Sequence, residues 1–280
     1  TMMNNARLSV GLEGVGLAER ALQAAKLYAS ERVQGTRLGE KNGEKCAIEN
    51  HADVRRMLTT MAALTAAGRA LAYDVALNID RARAGDARAQ RRVDILTPVV
   101  KSWCTDNAVE VASLGVQVHG GMGYIEETGA AQFYRDARIL PIYEGTNGIQ
   151  ALDLLFRKLL RDKGESVSYF IAEMVGSAAE VSAADWALAD QGHLVLAALD
   201  DLQKTTRHLL HAAGTGAPGA LDSIAEVAVP YQSGFGFVAG AVMMLRRAGA
   251  AAAHRDLADF YMRHLLPRAK GLFETVRTAG

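Results

Sequence analysis

The chain has 280 residues, enough for one large domain or two small ones; half are hydrophobic and 6% aromatic, which suits closely packed helices. Lys plus Arg and Asp plus Glu number 31 each, so the formal net charge is zero, which argues against a nucleic-acid partner that needs a basic face. No apolar run approaches the roughly 20 residues of a membrane span, no signal peptide is visible at the start, and Cys46 and Cys104 form no CxxC pair and read as reduced thiols of a cytoplasmic protein.

Thr1–Asn5 leads straight into a helical pattern, as expected of a piece of a longer protein. Leu8, Leu12, Val15, Ala18, Leu22 and Ala25 recur every three or four positions and predict a helix over about 4–37. Gly11, Gly14 and Gly16 weaken it locally and leave room for a close neighbour, helix or ligand. The polar run Glu40–Gly43 reads as a turn. A second helix is expected over about 46–83, where Val54, Met57, Met61, Leu64, Gly68, Leu71, Val75 and Ile79 form one stripe. A third, about 87–118, contains Pro98, which calls for a kink or a later start. The cluster Gly120, Gly121 and Gly123, together with Pro141, interrupts the pattern. A fourth helix, about 146–160, turns Ile149, Leu152, Leu155 and Leu159 inward. Long helices with short links predict an all-α fold: an up-down four-helix bundle over 1–163, followed by a second helical unit over 164–280. In that unit Val167–Val181 and Leu194–Leu209 are stripes and 214–219 is a loop. Leu221–Leu245 follows with a kink expected at Pro230, and a last helix is expected from about Ala253 with a bend at Pro267. No useful strand-like alternation appears.

Glu144 is the residue on which the chemistry turns. It stands between Tyr143 and Gly145, with Thr146 after it, at a break between helical patterns. The stretch QVHGGMGY at Gln117–Tyr124, the RDAR linker at Arg135–Arg138 and YEGT at Tyr143–Thr146, in that order, resemble the C-terminal helical domain of the acyl-CoA dehydrogenases. The likeness runs back to about Met2. The second unit resembles the extra C-terminal helical region of that family's larger subgroup.

The resemblance implies an FAD-dependent enzyme that desaturates acyl-CoA thioesters. It also implies that the family's N-terminal helical domain and middle β-domain are absent from this chain. Glu144 matches the base that removes the proton next to the thioester carbonyl. Arg32, Gln34, Gln117, Gly120, Gly121 and Thr146 match flavin contacts, several of them reaching the flavin of a neighbouring subunit. The aromatic residue that often follows Arg32 and Gln34 in the family is missing here, and Gly148 stands where a glutamine often does. Asn4, Arg7, Tyr143 and Gly145 match positions near the substrate. The implied partners are electron-transfer flavoprotein as electron acceptor and further copies of the chain, as a homodimer or homotetramer.

Two other readings compete. One is a family-like flavoprotein with a non-dehydrogenase role, of the DNA-alkylation-response type, although residues 161–280 hold 11 Lys/Arg against 13 Asp/Glu. The other is a catalytically silent helical assembly module. His119 reads as structural, His208 and His211 lack a further metal ligand nearby, and no metal site is expected. Arg88, Arg91 and Arg92 read as a solvated helix face.

Overall fold

The computed structural model describes residues 2–39 and 43–279, so the expected turn at Glu40–Gly43 lies largely outside the described residues. Among those residues every regular element is helical, and strand-like pairing is limited to one antiparallel bridge between Val33 and Ala47.

The first helix, α1 (Met2–Glu31), buries Leu8, Val15, Ala18, Leu22 and Ala25. It stops short of the expected residue 37. Gly35 adopts a left-handed backbone (φ 71°), and Gln34 and Cys46 exchange the helix for a short cross-link: Gln34 N–H donates to Cys46 O at 3.0 Å and Cys46 N–H to Gly35 O at 3.0 Å. That link and a 3₁₀ turn at Ile48–Asn50 delay α2 (Ala52–Arg83) beyond its expected start. Asp86 caps α3 (Ala87–His119) by accepting from Arg88 N–H at 2.9 Å and Ala89 N–H at 3.0 Å. Helix α3 continues unbroken through Pro98, so no later start occurs there.

Helix α3 is the central element. Val15, Met61, Leu64, Leu96, Val100 and Cys104 bring α1, α2 and α3 into one core. The glycines of α1 divide by role. A Cβ on Gly14 would sit 2.9 Å from Cys104 O and one on Gly11 2.7 Å from Val100, whereas Gly16 faces open space. Two of the three therefore serve helix packing.

After α3 come a short α4 (Gly121–Tyr124) and α5 (Ala130–Ile139), which both pack against α3. The RDAR segment expected as a linker lies inside α5. The fourth expected helix begins as α6 (Asn147–Leu152) and continues as a π-helical stretch, Asp153–Leu159, closed by Leu160 N–H donating to Leu155 O at 2.8 Å.

The remainder comprises α7 (Glu165–Ala184), α8 (Ala189–Gly214), α9 (Ala220–Glu226), α10 (Ala228–Ala250), α11 (Arg255–Phe260) and α12 (Pro267–Ala279). The stripe expected as continuous over 221–245 is broken at Val227. Pro230 falls in the first turn of α10 and Pro267 at the first position of α12, where no intrahelical N–H is required. A π-helical stretch at Tyr261–Leu265 precedes Pro267. By length and composition α10 would pass for a membrane span, which the sequence reading did not single out; 83% of its apolar window is buried inside the fold. It packs against α2, α3 and α6 as well as α7, α8, α11 and α12, so the core is continuous from residue 8 to 276.

Arg92 departs from the solvated face expected of it. It is buried, bonded through Nε to Asp74 at 2.7 Å and through Nη1 to Glu173 at 3.2 Å, and it lies over the Phe170 ring.

Candidate functional site

The segment between α5 and α6 carries Tyr143, Glu144, Gly145 and Thr146. Glu144 and Gly145 are both left-handed, at φ 56° and 83°. For a residue with a Cβ that conformation is strained by about 1–2 kcal/mol and persists only where the surroundings impose it. They do so here through α3. Lys101, fully buried, donates from Nζ to Leu140 O at 2.9 Å, to Gly145 O at 3.0 Å and to Asn147 Oδ1 at 2.9 Å. The Asn147 amide in turn donates to Ser102 O at 3.2 Å, Thr105 Oγ1 at 3.0 Å and Asp106 Oδ1 at 2.8 Å. Asn147 N–H reaches Pro141 O at 2.9 Å, and Gln150 Nε2 reaches Glu144 O at 3.3 Å. The Thr146 hydroxyl caps α6 by accepting from Ile149 N–H at 3.3 Å.

The Glu144 side chain is exposed, and among the described residues no donor or cation lies within bonding distance of its carboxylate. Its backbone N–H likewise meets no acceptor among the described residues. Tyr143 is half-buried and its hydroxyl donates to Glu13 of α1. Burial, that bond and the charges of Glu13 and Glu144 push the phenol up to about 12. Arg7 is mostly buried and pairs with Asp153 at 2.8 Å, while its Nε is buried without a partner. The charges of Asp106, Arg7 and Glu144 all act on Lys101. Asn4 lies about one turn before Arg7 on α1, half-buried.

The remaining candidates stand elsewhere. His119 stacks on Tyr28 with ring centroids 4.5 Å apart and its Nδ1 meets Gly115 O at 2.7 Å, which brings the ends of α1 and α3 together. Arg32, Gln34, Gln117, Gly120 and Gly121 are exposed at that end. Lys101 and Gln117 are separated by about 24 Å along α3, at 1.5 Å per residue. Lys101 therefore stands at the middle of α3 and Gln117 near its end, so the two groups are well apart on this chain. An exposed guanidinium at Arg32, an exposed carboxamide at Gln117 and open space at Gly121 fit the pyrophosphate end of a dinucleotide, since donors and close backbone approach are what a phosphate needs. Among the described residues no three His, Cys, Asp or Glu stand together as metal ligands.

Sequence reasoning missed Lys101 and Asn147. The signal for Lys101 was a single lysine in the apolar run ILTPVVKSWC, at positions that the helical period turns inward.

The family model for the acyl-CoA dehydrogenase C-terminal domain matches residues 1–159, and the model described as acetyl-CoA dehydrogenase C-terminal like matches residues 167–280. The 3-methylmercaptopropionyl-CoA dehydrogenase of Ruegeria pomeroyi is 55% identical over 180 residues, which cover 63% of this chain and 30% of that protein. The crystal structure of Caenorhabditis elegans ACDH-11 in complex with C11-CoA superposes with a TM-score of 0.80 at 22% identity, covering 99% of this chain and 47% of that one. The Bacillus anthracis acyl-CoA dehydrogenase complexed with FAD gives a TM-score of 0.75 at 22% identity, covering 98% and 48%. At that identity the two structures establish the fold alone, and they establish it over nearly the whole chain. The matched stretches account for less than half of each of these relatives. With its bundle, its second helical unit and its YEGT turn, the chain belongs to the acyl-CoA dehydrogenase family, and its first part is that family's C-terminal domain.

Proposed function

We propose that the chain supplies the base-bearing helical portion of an FAD-dependent acyl-CoA dehydrogenase, and that Glu144 takes the α-proton of an acyl-CoA thioester. The observation that supports this is an exposed, unpaired carboxylate on a left-handed residue whose next carbonyl, Gly145 O, is held by a buried ammonium. Removing a proton from a carbon next to a carbonyl needs a placed carboxylate and a donor for the developing negative oxygen. Glu144 offers both: its carboxylate for the proton and its unbonded N–H for the oxygen. FAD, when bound, accepts the hydride from the neighbouring carbon.

In this reading Arg32, Gln34, Gln117, Gly120 and Gly121 hold the pyrophosphate end of a flavin whose reacting ring belongs to another copy, and Thr146 contacts the flavin beside Glu144. Asn4, Arg7, Tyr143 and Gly145 line the thioester side. Self-association and an electron-transfer flavoprotein partner belong to the same proposal. The name of the 55% identical relative makes a short thioether-bearing acyl-CoA the first substrate to try.

In the complete, FAD-loaded protein, Glu144→Gln should abolish α-proton exchange and flavin reduction and leave bound FAD unchanged. Exchange at the wild-type rate would remove Glu144 from the mechanism. A panel of acyl-CoA thioesters of increasing length, with the thioether included, then ranks substrates by kcat/KM.

A further inference from the structure

We propose that Lys101 is a positioning residue for Glu144: its ammonium holds carbonyls on both sides of the carboxylate-bearing residue and so fixes where that carboxylate stands. This rests on the reading of Glu144 as the proton acceptor.

Burying an ammonium is costly unless every N–H finds an acceptor. Lys101 has three N–H groups and three acceptors, at 2.9, 3.0 and 2.9 Å, and it is fully buried. Two of the acceptors, Leu140 O and Gly145 O, bracket Glu144 in the chain. The third, Asn147 Oδ1, belongs to the first residue of α6, whose amide is itself held by Ser102, Thr105 and Asp106 of α3. The end of α5, the residue after Glu144 and the start of α6 are thus fastened to a single point on α3.

That fastening matters because the Glu144 carboxylate has no side-chain partner of its own among the described residues. Its place is set by its backbone, and its backbone sits in a left-handed pair that an unrestrained chain would leave. Without the ammonium, Leu140 O and Gly145 O lose a shared donor and the pair relaxes. A misplacement of about 1 Å in a reacting group costs on the order of a hundredfold in rate.

The test is Lys101→Met, which keeps length and apolar bulk, in the complete FAD-loaded protein. We expect kcat and α-proton exchange to fall together by about a hundredfold, with thioester KM and flavin content within threefold of wild type. Wild-type kcat and exchange in the folded variant would overturn the proposal, because a lysine that only stabilises the fold leaves both unchanged. Should Lys101→Met lose its flavin or its fold, Lys101→Gln decides: it keeps a polar group in the buried position but cannot hold all three acceptors, and an unchanged kcat there overturns the proposal equally. Glu144→Gln measured in parallel separates the two readings. Exchange retained in Glu144→Gln sinks the base itself; exchange lost there and kept in Lys101→Met sinks only the role of the lysine.

Discussion

Lys101 also makes a prediction about stability. Burial pulls its ammonium down to about 8 from an ordinary value of 10.5, with the nearby charges of Asp106 and Glu144 opposing the fall and that of Arg7 assisting it. The unfolded chain keeps the proton up to about pH 10.5, whereas the folded chain releases it from about pH 8 upward. Between those values the unfolded state binds more protons, so raising the pH favours the fold through this group. Tyr143, pushed up to about 12, acts in the opposite sense only above about pH 10, where an unfolded tyrosine begins to ionise. The melting temperature of the wild type should therefore gain on that of Lys101→Met as pH rises from 8 to 10. Parallel melting curves across that range would show that the lysine keeps its ordinary affinity for protons. The gain in stability and the proposed role in positioning oppose each other: the charged form that holds the Glu144 segment is the form that burial disfavours.

Helix α10 shows how tightly the elements interlock. A Cβ on Gly236 would stand 2.4 Å from the Trp103 ring, one on Gly240 2.5 Å from the Tyr261 hydroxyl, and one on Gly234 2.5 Å from Phe273. Trp103 and Tyr261 are buried and cannot swing away into solvent. Alanine in a helix interior gains up to about 1 kcal/mol over glycine, while overpacking a core costs about 1–3 kcal/mol. The clash should win, so Gly236→Ala should lower the urea midpoint with no change in slope. A raised midpoint would show that Trp103 repacks freely. The long helices were legible because their apolar stripes are long and regular, and α2, α3, α7 and α8 stand close to where the spacing put them. Helix α5 was not, because it is only ten residues long and its inward face, Ala130, Phe133 and Ala137, is too short to stand out as a stripe. The π-helical stretches carry no local signature in the sequence; in the fold they pack against α3 and α10. At the candidate site, YEGT drew attention to Glu144, whereas nothing local marks Lys101, because its acceptors lie 39 to 46 residues further along the chain and only folding brings them near.

At the scale of the molecule, the two regions distinguished by sequence share one core. Helix α10 lies against α2, α3 and α6, with Phe237 edge-on to Trp103 at 5.6 Å between ring centroids. Arg92 of α3 joins Asp74 of α2 to Glu173 of α7, and Arg268 of α12 makes a two-pronged bond to Glu110 of α3 at 2.8 and 2.9 Å. Cutting the chain after Lys163 would uncover Trp103, which Gly236, Phe237 and Gly240 of α10 pack against, and leave Arg92 short of a partner. The lost apolar burial outweighs the loss of the exposed Arg268 pair, since pairs in water contribute only about 0–1 kcal/mol. A piece ending at Lys163 should therefore melt without a sharp transition, or aggregate, whereas the 280-residue chain should unfold in one cooperative step. Calorimetry distinguishes these outcomes. Two separate transitions in the whole chain, or a sharp one in the piece, would mean that α10 covers a bundle already able to stand alone. In the single-step case the second unit is part of what keeps α3 rigid. Because Lys101 and Asn147 hold the Glu144 segment to α3, Gly236→Ala in the complete FAD-loaded protein should then, on the proposed role of Glu144, lower kcat as well as the melting temperature.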